Sequence, residues 1–233
     1  MMNPTWSDLI LNFYRNLSLD WKLPDGYALL TPHVDEEVMV YMHTFYEKFY
    51  KDQNPRILLL GINPGRLGAG VTGIPFTDPV HLESECDIFN SLQKKQELSS
   101  IFIYELIQKF GSTITFYNHF YIHSISPLGF VKNGINANYY DEKELFQATR
   151  PYIIDNLKYI ASMPCINDIV FSLGKGLNYT YLKQLNNELK LFKQVKALPH
   201  PRWVMQYKRK SKDKYLADVE AILRQAANSF LFK

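Results

Sequence analysis

Three stretches of this chain gather residue types that chemistry uses. The first is Gly61-Ile62-Asn63-Pro64-Gly65-Arg66-Leu67-Gly68-Ala69-Gly70-Val71-Thr72-Gly73, with five glycines in thirteen residues. Such density asks for positive φ or for close approach of main chain to a ligand. Asn63 adds an amide, which orients a water or ligand by hydrogen bonding but is no general base at neutral pH. The run matches neither GxGxxG nor GxxxxGK followed by Ser or Thr, so a nucleotide-phosphate loop would lack its lysine and its helix entry. Glycines serving only the turns of an irregular loop fit it equally well.

The second stretch is His200, fixed between Pro199 and Pro201, a rigid setting for a side chain whose intrinsic pKa lies near neutrality. A lone histidine is by itself more often structural than catalytic. The third is Arg202-Trp203-Val204-Met205-Gln206-Tyr207-Lys208-Arg209-Lys210, which Lys212 and Lys214 extend. Cations interleaved with aromatic and apolar residues can pair with phosphates and push a wedge into a base stack. A solvated basic loop with its tryptophan in the core has the same composition. Asp78 reads as an exposed loop aspartate, and His33, His43, His81, His119 and His123 show no metal-ligand spacing. Neither a metal nor an organic cofactor is expected.

These stretches fall between elements that periodicity predicts. Helices are expected over about Trp6–Asn16 and Val34–Tyr50, the second opening on Asp35, Glu36 and Glu37. Arg56–Gly61 is a short continuous apolar run, suited to a strand covered on both faces. Leu98–Phe110 returns to helical spacing, and Thr115–His123, rich in aromatic and β-branched residues, predicts a second strand ending at Ser124-Ile125-Ser126-Pro127-Leu128-Gly129. A long helix over Glu142–Met163, kinked or interrupted at Pro151, precedes a third strand at Asp168–Leu173, stopped by Gly174-Lys175-Gly176. A helix over Leu177–Leu189, a fourth strand at Leu191–Leu198 and a closing helix over Lys212–Phe230 complete the chain.

Strands alternating with helices imply a three-layer α/β/α fold with a central, mostly parallel four-stranded sheet. Ligands of such sheets bind beyond the C-terminal strand ends. Gly61–Asp78, Ser124–Gly129 and His200–Lys210 all sit there. The 233 residues, 46% hydrophobic, suffice for one domain over 1–233, with leading helices in 1–50 and a catalytic core in 56–230. An excess of 26 basic over 23 acidic residues is too small to announce a nucleic-acid partner. Cys86 and Cys165 stand far apart, which suits a reducing compartment. Met1–Asn12 reads as mature protein, and no run approaches the roughly 18 apolar residues of a membrane span.

Together, Gly61-Ile62-Asn63-Pro64-Gly65, Gly68, Gly73-Ile74-Pro75-Phe76 and the distant His200-Pro201 resemble, in order and spacing, the single-strand-selective monofunctional branch of the uracil-DNA glycosylase superfamily. Ser126-Pro127-Leu128 resembles its middle segment, and the resemblance covers about Arg56 to Arg209. It implies a monomer that flips a base out of DNA and hydrolyses its glycosidic bond, in the cytoplasm at a bacterial nucleoid or in a nucleus. Asn63 would position the water and His200 would donate to the base O2, helped by the backbone N–H of Ile62. Phe76 would stack on the base, worth ~1–3 kcal/mol. Gly65 stands where some relatives place a tyrosine that screens the pyrimidine C5 face, which implies room for a substituent or a larger base.

Where well-known members read uracil with an asparagine, this chain has Ser124, whose hydroxyl cannot make both contacts. Ser124 or Ser126 reading hydroxymethyluracil or xanthine is one expectation, and turn-capping serines are the other. Arg202 to Tyr207 would form the wedge, with Lys208, Arg209 and Lys210 on phosphates. No lysine lies in either matched motif, so no lyase step is expected. The competing readings are a metal-dependent nucleotide hydrolase or transferase using Gly61 to Gly73 and Gly174-Lys175-Gly176 as phosphate loops, and a non-catalytic module that binds damaged or single-stranded DNA.

Overall fold

The run Arg56–Gly61 is buried at every residue and forms strand β2, the centre of the molecule. A computed structural model describes residues 3–231. Met1 and Met2, the start of the Met1–Asn12 stretch, lie outside the described residues. β2 pairs in parallel with β3 (Phe120–Ser124) on one side and β6 (Cys165–Leu173) on the other, and β6 pairs in parallel with β7 (Val195–Leu198). The sheet order is β3-β2-β6-β7. All four strands run the same way, so their C-terminal ends share one edge, where Gly61 stands opposite Ser124.

Helices cover both faces. They are α1 (Trp6–Arg15), α2 (Glu36–Tyr50), the short α3 (Ala69–Thr72) and α4 (Pro79–Ser84), α5 (Leu98–Phe110), α6 (Thr113–His119), α7 (Lys143–Ser162), α8 (Leu177–Leu189), α9 (Pro201–Tyr207) and α10 (Lys212–Phe230). Thr5 and Asp8 form a capping box at α1, and Asp35 caps α2, as Asp does where free N–H groups need an acceptor. Arg56 joins these leading helices to the sheet. Its buried guanidinium pairs with Asp52 at 2.8 Å, donates to the Tyr117 and Phe49 carbonyls, and packs over the rings of Trp6 and Tyr50.

The structure departs from the expected elements in several places, the fourth strand being extended only over Val195–Leu198. Thr115–His119 belongs to helix α6, because Ser112 caps it by accepting from the Thr115 N–H; only Phe120–Ser124 of the expected strand is extended. Val34 ends a 3-10 turn ahead of α2 rather than starting it. The long helix α7 runs unbroken through Pro151. A second, antiparallel sheet of β1 (Tyr27–Leu30), β4 (Gly129–Lys132) and β5 (Ile135–Ala137) also forms. Its β4–β5 hairpin turns at Asn133 and Gly134, whose φ values of 51° and 76° suit the tight turn that Asn-Gly favours. No helix among the described residues is long and apolar enough to cross a membrane.

Candidate active site

At the C-terminal edge of the parallel sheet a groove of about 960 Å³ runs between the β2 loop, the β5 segment, the β6–α8 turn and α9. A smaller recess of about 70 Å³ shares its walls Ile62, Gly65, Glu97, Asn136, Asn138, His200 and Arg202, and adds Asn63, Phe76 and Ser124. The arrangement follows the rule for open α/β sheets. Ends of β2, β3 and β7 therefore deliver Asn63, Ser124 and His200 to one recess.

Asn63 is fixed by main chain rather than by other side chains. Its Oδ1 accepts from the Tyr139 N–H at 3.1 Å, and its Nδ2 donates to the Ala137 carbonyl at 3.1 Å and the Pro64 carbonyl at 3.3 Å. One lone pair of Oδ1 stays available for a water. Tyr139 in turn donates its hydroxyl to Asn178, a buried amide whose Nδ2 reaches Ser172 Oγ and the Gly61 carbonyl. The network ties the amide to the strand ends on which the recess is built.

His200 caps α9, its Nδ1 accepting from the Arg202 N–H at 3.2 Å. Burial, and then the neighbouring Arg202 charge, push its pKa down to about 4, so the imidazole is neutral near pH 7. A neutral ring with Nδ1 accepting carries its proton on Nε2, which leaves an N–H donor for the recess. Such a donor stabilises negative charge developing on a departing group.

Phe76 sits at φ 56°, a left-handed backbone that a bulky residue seldom adopts and that marks sites where geometry outweighs strain. Its ring lies so close to Gly61 that a Cβ there would meet it at 2.6 Å. The ring forms part of the recess wall, half-buried rather than sealed in the core.

Ser124 is nearly buried and lines the recess, with its carbonyl held by Asn156. Ser126 is fully buried and donates to the Leu128 carbonyl at 2.8 Å, so it caps a turn outside the recess. Gly65 lines both cavities; Gly68 lies behind them. The Arg202–Tyr207 segment is helix α9, not an irregular loop, and it splits by face. Arg202, Trp203, Gln206 and Tyr207 are exposed along the groove. Val204 and Met205 are buried against the core, which removes them from any DNA contact in this conformation. Lys208, Arg209 and Lys210 are exposed just beyond it.

Two site residues escaped the sequence reading. Asp78 is fully buried, not exposed: it caps α4 and accepts from the His81 ring and from the Glu97 N–H at 2.7 Å. Burial opposes its charge, but the bonds from His81 and Glu97 win and hold its pKa below the usual carboxylate value. Glu97, fixed in this way, brings a carboxyl to the wall of both cavities. The Asp-Pro start of α4 was a legible N-cap signal for Asp78; Glu97 had none. Among the described residues no three or more His, Cys, Asp or Glu side chains gather as a metal site.

The profile described as "Uracil DNA glycosylase superfamily" matches residues 47–224. A crystal structure of wild-type SMUG2 from Pedobacter heparinus is 42% identical, with a TM-score of 0.93, over 98% of this chain and 100% of that one. No curated protein matches in sequence. With a family profile over most of its length and a full-length structural match at this identity, the chain belongs to the uracil-DNA glycosylase superfamily, in its SMUG-like branch, and is a hydrolase of the N-glycosyl bond of uracil in DNA.

Proposed function

We propose that the recess takes a flipped base on the Phe76 ring and accepts hydroxymethyluracil and xanthine as well as uracil. The observation that carries the division of labour is the pairing of a neutral His200, its Nε2–H free for the recess, with an Asn63 amide locked by Tyr139 and Ala137. As the C1′–N bond breaks, electrons pass to the base, and the His200 N–H stabilises the anion through O2, with the Ile62 N–H as a second donor. Asn63 holds the water that adds to C1′, and that water's proton leaves to the departing base or to solvent.

Relaxed base choice follows from Ser124, a single hydroxyl that cannot address both N3–H and O4, and from the open wall at Gly65. The exposed face of α9 supplies the wedge through Trp203 and Tyr207, with Arg202, Gln206, Lys208, Arg209 and Lys210 toward phosphates. We read the enzyme as monofunctional, since no lysine falls inside either matched motif. It acts as a monomer without cofactor, wherever its host keeps DNA.

The test uses oligonucleotides carrying uracil, hydroxymethyluracil, hypoxanthine or xanthine, as single strands and duplexes, with alkali to reveal abasic sites and borohydride to trap any Schiff base. Excision of more than one base with no trapped adduct is expected. Uracil-only excision would refute relaxed selectivity, and a trapped adduct would refute the monofunctional mechanism.

A further inference from the structure

Glu97 occupies the N-cap position of α5, and its side chain makes no cap bond. Its carboxyl instead lies over the β2 loop. A Cβ at Gly68 would meet Oε2 at 2.1 Å and one at Gly65 would meet Oε1 at 2.8 Å, so the loop is hollowed to the carboxyl's shape at two positions. The main chain beneath it is pinned by the bond from the Glu97 N–H to buried Asp78, which the His81 ring holds in turn. The carboxyl is thereby placed, at a cost in desolvation, on the wall of the recess.

Uracil offers such a group little beyond one contact. Its polar atoms are O2, N3–H and O4; His200 is placed for O2 and Ser124 for one of the other two, and the rest of its ring edge is C–H. Of the neighbouring amides, Asn136 spends its Oδ1 on the Arg66 N–H and Asn138 its Nδ2 on Asp141. A carboxyl buried against C–H goes unsatisfied, whereas one facing a further donor or acceptor of the base is repaid.

We propose that Glu97 is a specificity-determining residue that hydrogen-bonds bases with a polar group beyond the uracil set, namely deaminated purines and 5-hydroxymethyl pyrimidines. This rests on the reading that the recess holds the flipped base. The charged and titratable groups around the carboxyl agree with a dual role. Burial raises its pKa to about 7, Asp78 adds to the rise, and Arg202 and the Ser100 hydroxyl pull against it, while His200 across the recess is neutral. Near neutrality the carboxyl is thus present both protonated, with an O–H donor and a carbonyl acceptor, and ionised, as an acceptor alone.

The experiment compares kcat/KM of wild type, Glu97→Ala and Glu97→Gln on uracil, hydroxymethyluracil, hypoxanthine and xanthine in one oligonucleotide sequence. For Glu97→Ala, excision of the three larger or substituted bases falls by about tenfold or more relative to excision of uracil. Glu97→Gln, which keeps a donor and an acceptor of the same size, recovers most of the loss. An equal loss on all four bases, or a wild type that excises uracil alone, overturns the proposal. Phe76→Ala run alongside separates the two levels: it lowers excision of every base when the recess holds the base, and unchanged rates overturn that placement and this proposal with it.

Discussion

A histidine that stays neutral far below pH 6.5 does different work from one that titrates there. His200 is depressed to about 4, so its N–H donor survives acidification that would protonate a free imidazole. With Glu97→Gln removing the other titration near neutrality, excision of uracil therefore shows no acid limb between about pH 7 and 5. A limb centred near 6.5, absent in His200→Asn, would contradict the neutral-donor role. Stability carries the opposite signature. The unfolded chain takes up its proton first, near 6.5, so the folded state loses stability as pH falls from there toward about 4.

At the scale of elements, α9 is the clearest case of a sequence segment that the fold divides. Its pattern of cations and aromatic residues was legible, but a seven-residue amphipathic turn gives too little periodicity to show which side chains face inward. The structure turns Val204 and Met205 into the core and leaves Trp203 and Tyr207 over the groove. Trp203→Ala and Tyr207→Ala should lower excision from duplexes more than from single strands, with thermal midpoints near wild type, since a wedge matters only where a stack must be opened. Val204→Ala should instead cost stability, about 1–2 kcal/mol, and lower both substrates alike. Equal activity losses from all three would contradict the division of faces.

Other elements were legible for physical reasons. β2, β6 and the helices over Leu98–Phe110, Leu177–Leu189 and Lys212–Phe230 carry long apolar runs or clean helical spacing, which burial enforces. Thr115–His119 misled because strand-like residue types lost to a Ser112 cap and to core packing of Phe116 and Tyr117. The β4–β5 hairpin was written in Asn133-Gly134 yet went unread, its strands being too short to alternate convincingly. Asn63, His200, Phe76 and Ser124 were placed by motif spacing and converge in one recess. Glu97 was beyond reach, because only the folded α4–α5 connection carries it over Gly65 and Gly68.

At the scale of the whole molecule, a net charge of +3 is modest, and any hold on DNA must come from local concentration of charge. Lys208, Arg209 and Lys210 stand exposed beside the groove mouth. Replacing each by alanine should weaken binding to all oligonucleotides alike and reduce the salt slope of log K by about 1 for every phosphate no longer neutralised. A slope unchanged in the triple variant would move the phosphate-binding surface elsewhere on the molecule.

The measurement that bears most directly on the account is release of free uracil from a uracil-containing oligonucleotide in excess EDTA, by wild type, Asn63→Ala and His200→Ala. Wild type should release uracil and leave an alkali-labile site, and each variant should be slower by about 10²–10³-fold while remaining folded. Wild-type activity abolished by EDTA, or retained at full rate in both variants, would contradict a metal-free mechanism built on these two residues.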